Sequence, residues 1–279
     1  MVGAEPPNSA NTSGDWQSGQ VSVSGGYLAY HRTGGSGPVL VLSHGLTDNG
    51  LCWSRLTRAL EDDFDIVMLD ARGHGTSSRL PDGVHYNAGR DIAEAIGALG
   101  LRTPIVMGHS IGALATATFA ADYPHLVSRV ILEDPPFVPA SGLSSRLGRK
   151  EKFRLQVLRF QSMSDAEITQ MGKEATPDWH DDEFPAWTLA KRQVDPDAMP
   201  VVFPLWQAVI EKILVPTLLV YGEQARGGLV TPQVAAEAMR VNPRVQSVEV
   251  QQAGHNIRRE NFPAYLAEIR KFLLENKKT

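Results

Sequence analysis

Gly108-His109-Ser110-Ile111-Gly112 is the stretch whose residue types and spacing could do covalent chemistry. A serine with glycine two residues away on each side can stand on a sharp turn, where larger flanking side chains would collide with the packed strand and helix. Once a base takes its proton, such a serine can attack a carbonyl carbon to form an acyl-enzyme that water then breaks. The pattern alone also describes a glycine-rich strand-to-helix turn with no chemistry. Its flanks favour the nucleophile. Pro104-Ile105-Val106-Met107 reads as a strand, and Ala113-Leu114-Ala115-Thr116-Ala117 reads as the start of a helix.

The elements needed to position that serine recur along the chain. Val21-Ser22-Val23 and Tyr27 to His31, around Gly25-Gly26, predict a hairpin. Pro38 to Ser43 is a continuous apolar run suited to a strand buried on both faces, and it ends in His44-Gly45-Leu46-Thr47-Asp48-Asn49. Asp48 or Asn49 is expected to cap the next helix, with Trp53, Leu56 and Leu60 on one stripe. Further strands are expected at Asp65–Leu69, Val127–Leu132, Pro216–Gly222 and Val245–Val250, and helices at Arg90–Leu99, Thr231–Arg240 and Asn261–Glu275. Alternating strands and helices predict a mostly parallel sheet covered on both sides. Residues 137–214 break the rhythm: they hold Phe153, Phe160, Met163, Met171, Trp179, Trp187, Phe203 and Trp206 at helical spacing and predict a helical insertion. The organisation expected is an N-terminal arm at 1–20, a core at 21–136 and 215–279, and a cap at 137–214.

Whole-chain properties narrow the partners. A net charge of -4 over 279 residues gives no electrostatic reason to expect nucleic acid or an anionic membrane. No apolar run approaches the ~18 residues of a membrane span. The first 20 residues lack the basic and apolar regions of a signal peptide, so a cytoplasmic monomer or weak homo-oligomer acting on a small molecule is expected. Cys52 is the one cysteine, which excludes an intrachain disulfide.

Taken in chain order, Ser43-His44-Gly45-Leu46, Asp70-Ala71-Arg72-Gly73-His74-Gly75-Thr76-Ser77, Gly108 to Gly112, Leu132-Glu133-Asp134-Pro135-Pro136 and Ala253-Gly254-His255 resemble the α/β-hydrolase superfamily. The resemblance runs from about Val21 to the C-terminus and is interrupted at the insertion. It implies an α/β fold of about eight strands carrying a serine, acid and histidine triad, with the insertion capping the site. His255, in a strand-to-helix loop, is the candidate base, against the alternative of a surface histidine. An orienting carboxylate must accompany it. The commonest family pattern places that acid three residues past the Gly222-Glu223 step, where this chain has Ala225. Some members carry it after the earlier strand, where Asp134 stands, so Asp134 is favoured over Glu223. Glu133 should face the opposite side of its strand. The resemblance also implies that the backbone amides of Leu46 and Ile111 form the oxyanion hole, with His44 and His109 orienting the loops and Asp70 and Arg72 tying their own turn.

Other clusters are read as structural. Asp178, His180, Asp181, Asp182 and Glu183 lack a recognisable metal-ligand spacing and read as a solvated helix start. Arg258-Arg259 could meet an acidic substrate but reads better as an exposed helix start. Trp179, Trp187 and Trp206 are candidate substrate contacts as well as candidate cap core. The expected activity is cleavage of a carboxylic ester or lactone of a fairly apolar, even macrolide-like, substrate, with neither metal nor organic cofactor. The alternatives are carbon–carbon bond hydrolysis of a dienoic diketone by the same triad, and a non-catalytic ligand binder on the same fold.

Overall fold

In the computed structural model, residues 16–80, 87–137, 143–199 and 204–274 are described. Phe203 and most of the expected N-terminal arm lie outside them. An eight-stranded sheet has the order β1 (Gln17–Val23), β2 (Gly26–Arg32), β4 (Asp65–Leu69), β3 (Val39–Ser43), β5 (Ile105–His109), β6 (Arg129–Glu133), β7 (Thr217–Gly222), β8 (Val245–Val250). The first two strands form the expected hairpin and join β4 antiparallel, and all later neighbours are parallel. Residues 17–20, expected in the arm, are instead strand, each paired with β2. Their polar character hid them, because an edge strand needs pairing more than burial.

Side chains divide the sheet into two cores by simple alternation. Leu40 and Leu42 face one side with Ile66, Met68, Ile105, Met107 and Ile131, while Val41 faces the other with Val67, Val106, Val130 and Leu132. The first side is covered by α1 (Ser54–Leu60) and α10 (Phe262–Leu274) through Leu56, Leu60, Tyr265, Ile269 and Phe272. The second is covered by α2 (Ala88–Ala98), α3 (Ile111–Asp122) and α8 (Pro232–Val241) through Ile92, Ile96, Ala117, Phe119, Ala235 and Ala238. A sheet buried on both faces explains why these strands read as unbroken apolar runs.

Between β6 and β7 the described residues form α4 (Leu143–Ser162), α5 (Asp165–Ala175), α6 (Phe184–Gln193) and α7 (Trp206–Glu211), with no strand among them. Only part of this stretch stands apart from the core. Helix α7 packs against α3 and α8, and Trp206, Val209 and Ile210 join the main core. The core therefore resumes before the expected boundary at 215. Among the described residues no helix is long and apolar enough to cross a membrane.

The strand order reverses between β3 and β5, since the chain steps from β3 to β4 on one side and from β5 to β6 on the other. At such a switch point the loops leaving the carboxyl ends of the two strands diverge and open a crevice. The loop starting at His44 and the turn carrying Ser110 leave the sheet there, with Ser43 paired to Gly108.

Candidate active site

Ser110 closes β5 and opens α3 with φ 55° and ψ -120°, a left-handed conformation unusual for a residue with a side chain. The two glycines make the turn possible. A Cβ on Gly108 would stand 2.3 Å from the Gly112 carbonyl oxygen, and one on Gly112 would stand 2.4 Å from that of His44. The Ser110 N–H donates to the Glu133 carbonyl at 2.8 Å, which pins the turn to the neighbouring strand.

Three elements converge on its hydroxyl. His255 lies between β8 and α9 (Ile257–Glu260), with Nε2 3.0 Å from Ser110 Oγ. Its Nδ1 is 2.6 Å from Asp134 Oδ2 at the end of β6. A carboxylate only accepts, so Nδ1 carries the proton and Nε2 offers a lone pair to the serine. Asp134 is fully buried at φ 42° and accepts two further hydrogen bonds, from Leu229 N at 2.8 Å and Val230 N at 3.0 Å. Three donors on one carboxylate hold it immobile.

Glu223 is elsewhere engaged. Its Oε1 accepts from Gln252 N at 2.6 Å, and Oε2 lies 3.6 Å from Arg226. Ala225 sits in a short turn, Gln224–Arg226, packed so closely on the His255 loop that a Cβ on Gly254 would meet the Arg226 carbonyl at 2.1 Å. The loop after β7 thus delivers amides to Asp134 in place of a carboxylate of its own.

Leu46 and Ile111 flank the serine on two sides. Ile111 begins α3, so its N–H has no acceptor within the helix. Leu46 follows Gly45, whose hypothetical Cβ would lie 3.6 Å from Ser110 Cβ and 2.7 Å from His109 Nδ1. A cavity of about 30 Å³ beside both residues is lined also by Ser43, His44, Ala71, His74 and Ala198. That is room for a water molecule beside the two residues.

The surrounding histidines are held in place rather than free. The His44 Nδ1–H donates to Gly45 O at 2.8 Å, and Nε2 accepts from Ala71 N at 2.9 Å. Burial pushes its pKa down to about 4, as it does for His74, whose Nε2 is 2.5 Å from Leu46 O. His109 is held well below its ordinary pKa, first by burial and then by Arg258, and its Nε2–H donates to the His255 carbonyl at 2.9 Å. Asp70 accepts from Gly50 N and Thr76 N, while Arg72 pairs with Asp91 and binds the carbonyls of Ser24 and Gly25. Asp70 thus ties the turn as expected, whereas Arg72 reaches out of it, to α2 and to the β1–β2 hairpin.

Other expectations are corrected. Asp48 caps no helix, and Asn49 makes no side-chain cap to the short turn that follows it. Instead Asp48 is buried among Arg258 and Arg259, each at 3.1 Å, and Lys191 at 3.5 Å. The two arginines, expected at an exposed helix start, are buried. Arg258 also pairs with Glu133 at 3.3 Å and Arg259 with Glu183 at 3.2 Å. Glu183 likewise leaves the solvated cluster in which it was grouped, while Asp181 pairs with Lys173 and Asp182 with His180 near the surface. Glu133 does face away from Asp134, accepting from Tyr265 Oη at 2.9 Å.

The three tryptophans separate. Trp206 stacks on Phe137 with ring centres 5.0 Å apart, inside the main core. Trp179 and Trp187 meet edge to face at 6.3 Å, in a cluster with Phe184 within the insertion. Trp179 also carries Arg259 on its face at 4.7 Å.

Comparison with known proteins agrees with this architecture. Residues 40–269 match the sequence model described as the alpha/beta hydrolase family. N-formylmaleamate deformylase of Pseudomonas putida is 28% identical over 266 residues, covering 91% of this chain and 96% of that protein. A 2-(acetamidomethylene)succinate hydrolase of Mesorhizobium japonicum is 37% identical over 116 residues, 41% of this chain and 42% of its own length. The crystal structure of E-2-(acetamidomethylene)succinate hydrolase superposes with a TM-score of 0.76 at 25% identity, over 92% of this chain and 99% of that one. A match covering most of the chain, on a sheet with its Gly-His-Ser-Ile-Gly turn at the switch point, has one consequence: the chain belongs to the alpha/beta hydrolase family.

Proposed function

We propose that the protein is a serine hydrolase working through an acyl-enzyme, with a carboxylic ester or lactone as the bond cleaved. The observation that carries this reading is the continuous row Asp134–His255–Ser110, with separations of 2.6 and 3.0 Å. His255 Nε2 takes the Ser110 proton as Oγ attacks the carbonyl carbon. The resulting imidazolium is stabilised by Asp134, and the oxyanion is received by the Leu46 and Ile111 amides. His255 then gives its proton to the departing alcohol, the acyl group staying on Oγ. Water, deprotonated by the same imidazole, attacks the acyl-enzyme and frees Ser110.

The helices of the insertion act as a cap in this reading, with support from the Lys191 and Gln193 contacts to the loop before α1. Aromatic side chains such as Trp179 and Trp187 favour a substrate with an apolar part, and Trp206 acts through Phe137 rather than directly. A second reading is hydrolysis of an N-acyl bond. It is favoured by the names of the two relatives, a deformylase and an acetamidomethylene hydrolase, the first matching over most of both chains. The catalytic row serves both bonds, since in each the leaving group must be protonated by His255.

The test is stoichiometric labelling with a fluorophosphonate, followed by intact mass and peptide mapping, and then a panel of p-nitrophenyl esters, lactones and N-formyl amides. Labelling of Ser110 that vanishes in Ser110→Ala supports an activated nucleophile, and the panel then assigns the bond. A folded wild type that neither labels nor turns over any of these belongs with the non-catalytic binders.

A further inference from the structure

We propose that Lys191, on α6 of the insertion, is a positioning residue for the oxyanion hole, acting on the Leu46 amide through two peptide groups in series. The inference rests on the serine-hydrolase reading. It names a residue 144 positions from the loop it serves.

The path is continuous. Lys191 Nζ donates to the Thr47 carbonyl at 2.8 Å and to Thr47 Oγ1 at 2.7 Å. That carbonyl shares a planar peptide group with the Asp48 N–H, which donates to the Gly45 carbonyl at 3.0 Å. The Gly45 carbonyl in turn shares its peptide plane with the Leu46 N–H. Fixing each oxygen therefore fixes the direction of the N–H at the other end of its plane. His44 and His74 complete the grip, at 2.8 Å on Gly45 O and 2.5 Å on Leu46 O, so three successive carbonyls each have a side-chain donor. A second tie from the same helix joins Gln193 to Asn49 at 2.9 Å.

Two physical effects follow. The first is geometric: a loop with no regular hydrogen-bond ladder is denied the peptide rotations that would turn the Leu46 N–H away from the serine. The second is electronic, since a cation at the head of a hydrogen-bonded chain polarises each peptide toward stronger donation at its far end. Lys191 is buried, so water does not screen its charge. It lies 4.6 Å over the Trp187 ring and 3.5 Å from Asp48, so it is held on more than one side. Asp48 keeps both arginines when Lys191 is removed, which leaves the cluster paired.

The experiment compares wild type with Lys191→Met, a side chain of similar length without the ammonium. With p-nitrophenyl acetate, kcat should fall about 10- to 100-fold while KM stays within about 3-fold. Affinity for a trifluoromethyl ketone, whose adduct with Ser110 carries the oxyanion, should weaken by the same factor as kcat/KM. Inhibition by acetate, which makes no such adduct, should not move. A kcat within about 2-fold of wild type, or equal losses for ketone and acetate, overturns the proposal. Should Lys191→Met fail to fold, Thr47→Val removes one acceptor of the ammonium and should show the same matched loss at about 3-fold, and no change there overturns it as well. A wild type that turns over no ester and forms no ketone adduct sinks the hydrolase reading itself, and the role of Lys191 falls with it.

Discussion

The Asp134 carboxylate and the His255 imidazole meet at 2.6 Å across 121 residues of chain, joining the end of β6 to the loop after β8. The carboxylate is held there from the far side by the amides of Leu229 and Val230, so the histidine finds it already oriented. Replacing it with asparagine removes the charge that stabilises the imidazolium and leaves a donor where an N–H must be accepted. Asp134→Asn should slow fluorophosphonate labelling of Ser110 by about 10³-fold or more. Glu223→Gln, which alters only the contacts to Gln252 N and Arg226, should stay within about 3-fold of wild type. The reverse ranking, by intact-mass time courses, would place the acid after β7 instead.

The Ser110 turn has no room for a methyl group at Gly112. A Cβ on Gly112 would lie 2.4 and 2.5 Å from the carbonyl oxygens of His44 and Ser43, both of them backbone atoms at the end of a central strand. Gly112→Ala should lose about 3 kcal/mol or more of stability in urea unfolding. Gly97 is the counterexample within α2, since nothing lies within 4 Å of its missing Cβ. Gly97→Ala should raise stability by about 0.5–1 kcal/mol, because alanine costs less backbone entropy in a helix. Equal effects at the two sites would contradict the packing argument.

What could be read from the sequence divides along the same physical line. Ser110 was legible because its turn needs glycine at two set positions between a strand and a helix, all within one short window. Asp134 at a strand end and His255 in a strand-to-helix loop were legible as candidates, though only the fold shows them in one hydrogen-bonded row with the serine. Asp48, Lys191, Arg258 and Arg259 were not legible as a cluster. Each sits in a local context that suits an exposed charge, and their pairing comes from one loop and two helices brought together by the fold. Trp206 was misassigned for a related reason: a six-residue helix offers too few turns to show which body it packs on.

Acid should loosen the loop at His44 before it breaks most surface pairs. His44 is neutral in the fold because its Nε2 accepts the Ala71 N–H, and protonation would set a second N–H against that donor. Burial lowers its pKa to about 4 from 6.5, so the folded state binds fewer protons than the unfolded chain between those values. Its contribution is therefore complete above about pH 6.5 and is lost as pH falls toward 4, amounting to about 2 kcal/mol by pH 5. Urea midpoints measured between pH 7.5 and 5 should fall more steeply for wild type than for His44→Gln, which starts less stable but does not titrate. Parallel slopes would mean that His44 is not protected from protonation.

The buried charge cluster makes the last prediction, which concerns stability and its insensitivity to salt. Burial opposes ionisation of Asp48, yet the combined field of Arg259, Lys191 and Arg258 overcomes it and holds the carboxyl well below the usual carboxylate range. With the folded pKa depressed, the stabilisation is present above the unfolded value near 3.8 and is lost as pH falls below it. Asp48→Asn leaves three buried cations with only Glu133 and Glu183 to answer them, and burial already pushes the Glu133 pKa up. Removing one partner from such a buried set should cost about 3–5 kcal/mol. Bulk salt reaches these atoms poorly, so the loss should be nearly the same at low and high sodium chloride, unlike that of an exposed pair. A cost below about 1 kcal/mol, or one that salt restores, would mean that water enters the cluster and that the residues linking the insertion to the loop after β3 are not the dry, rigid unit described above.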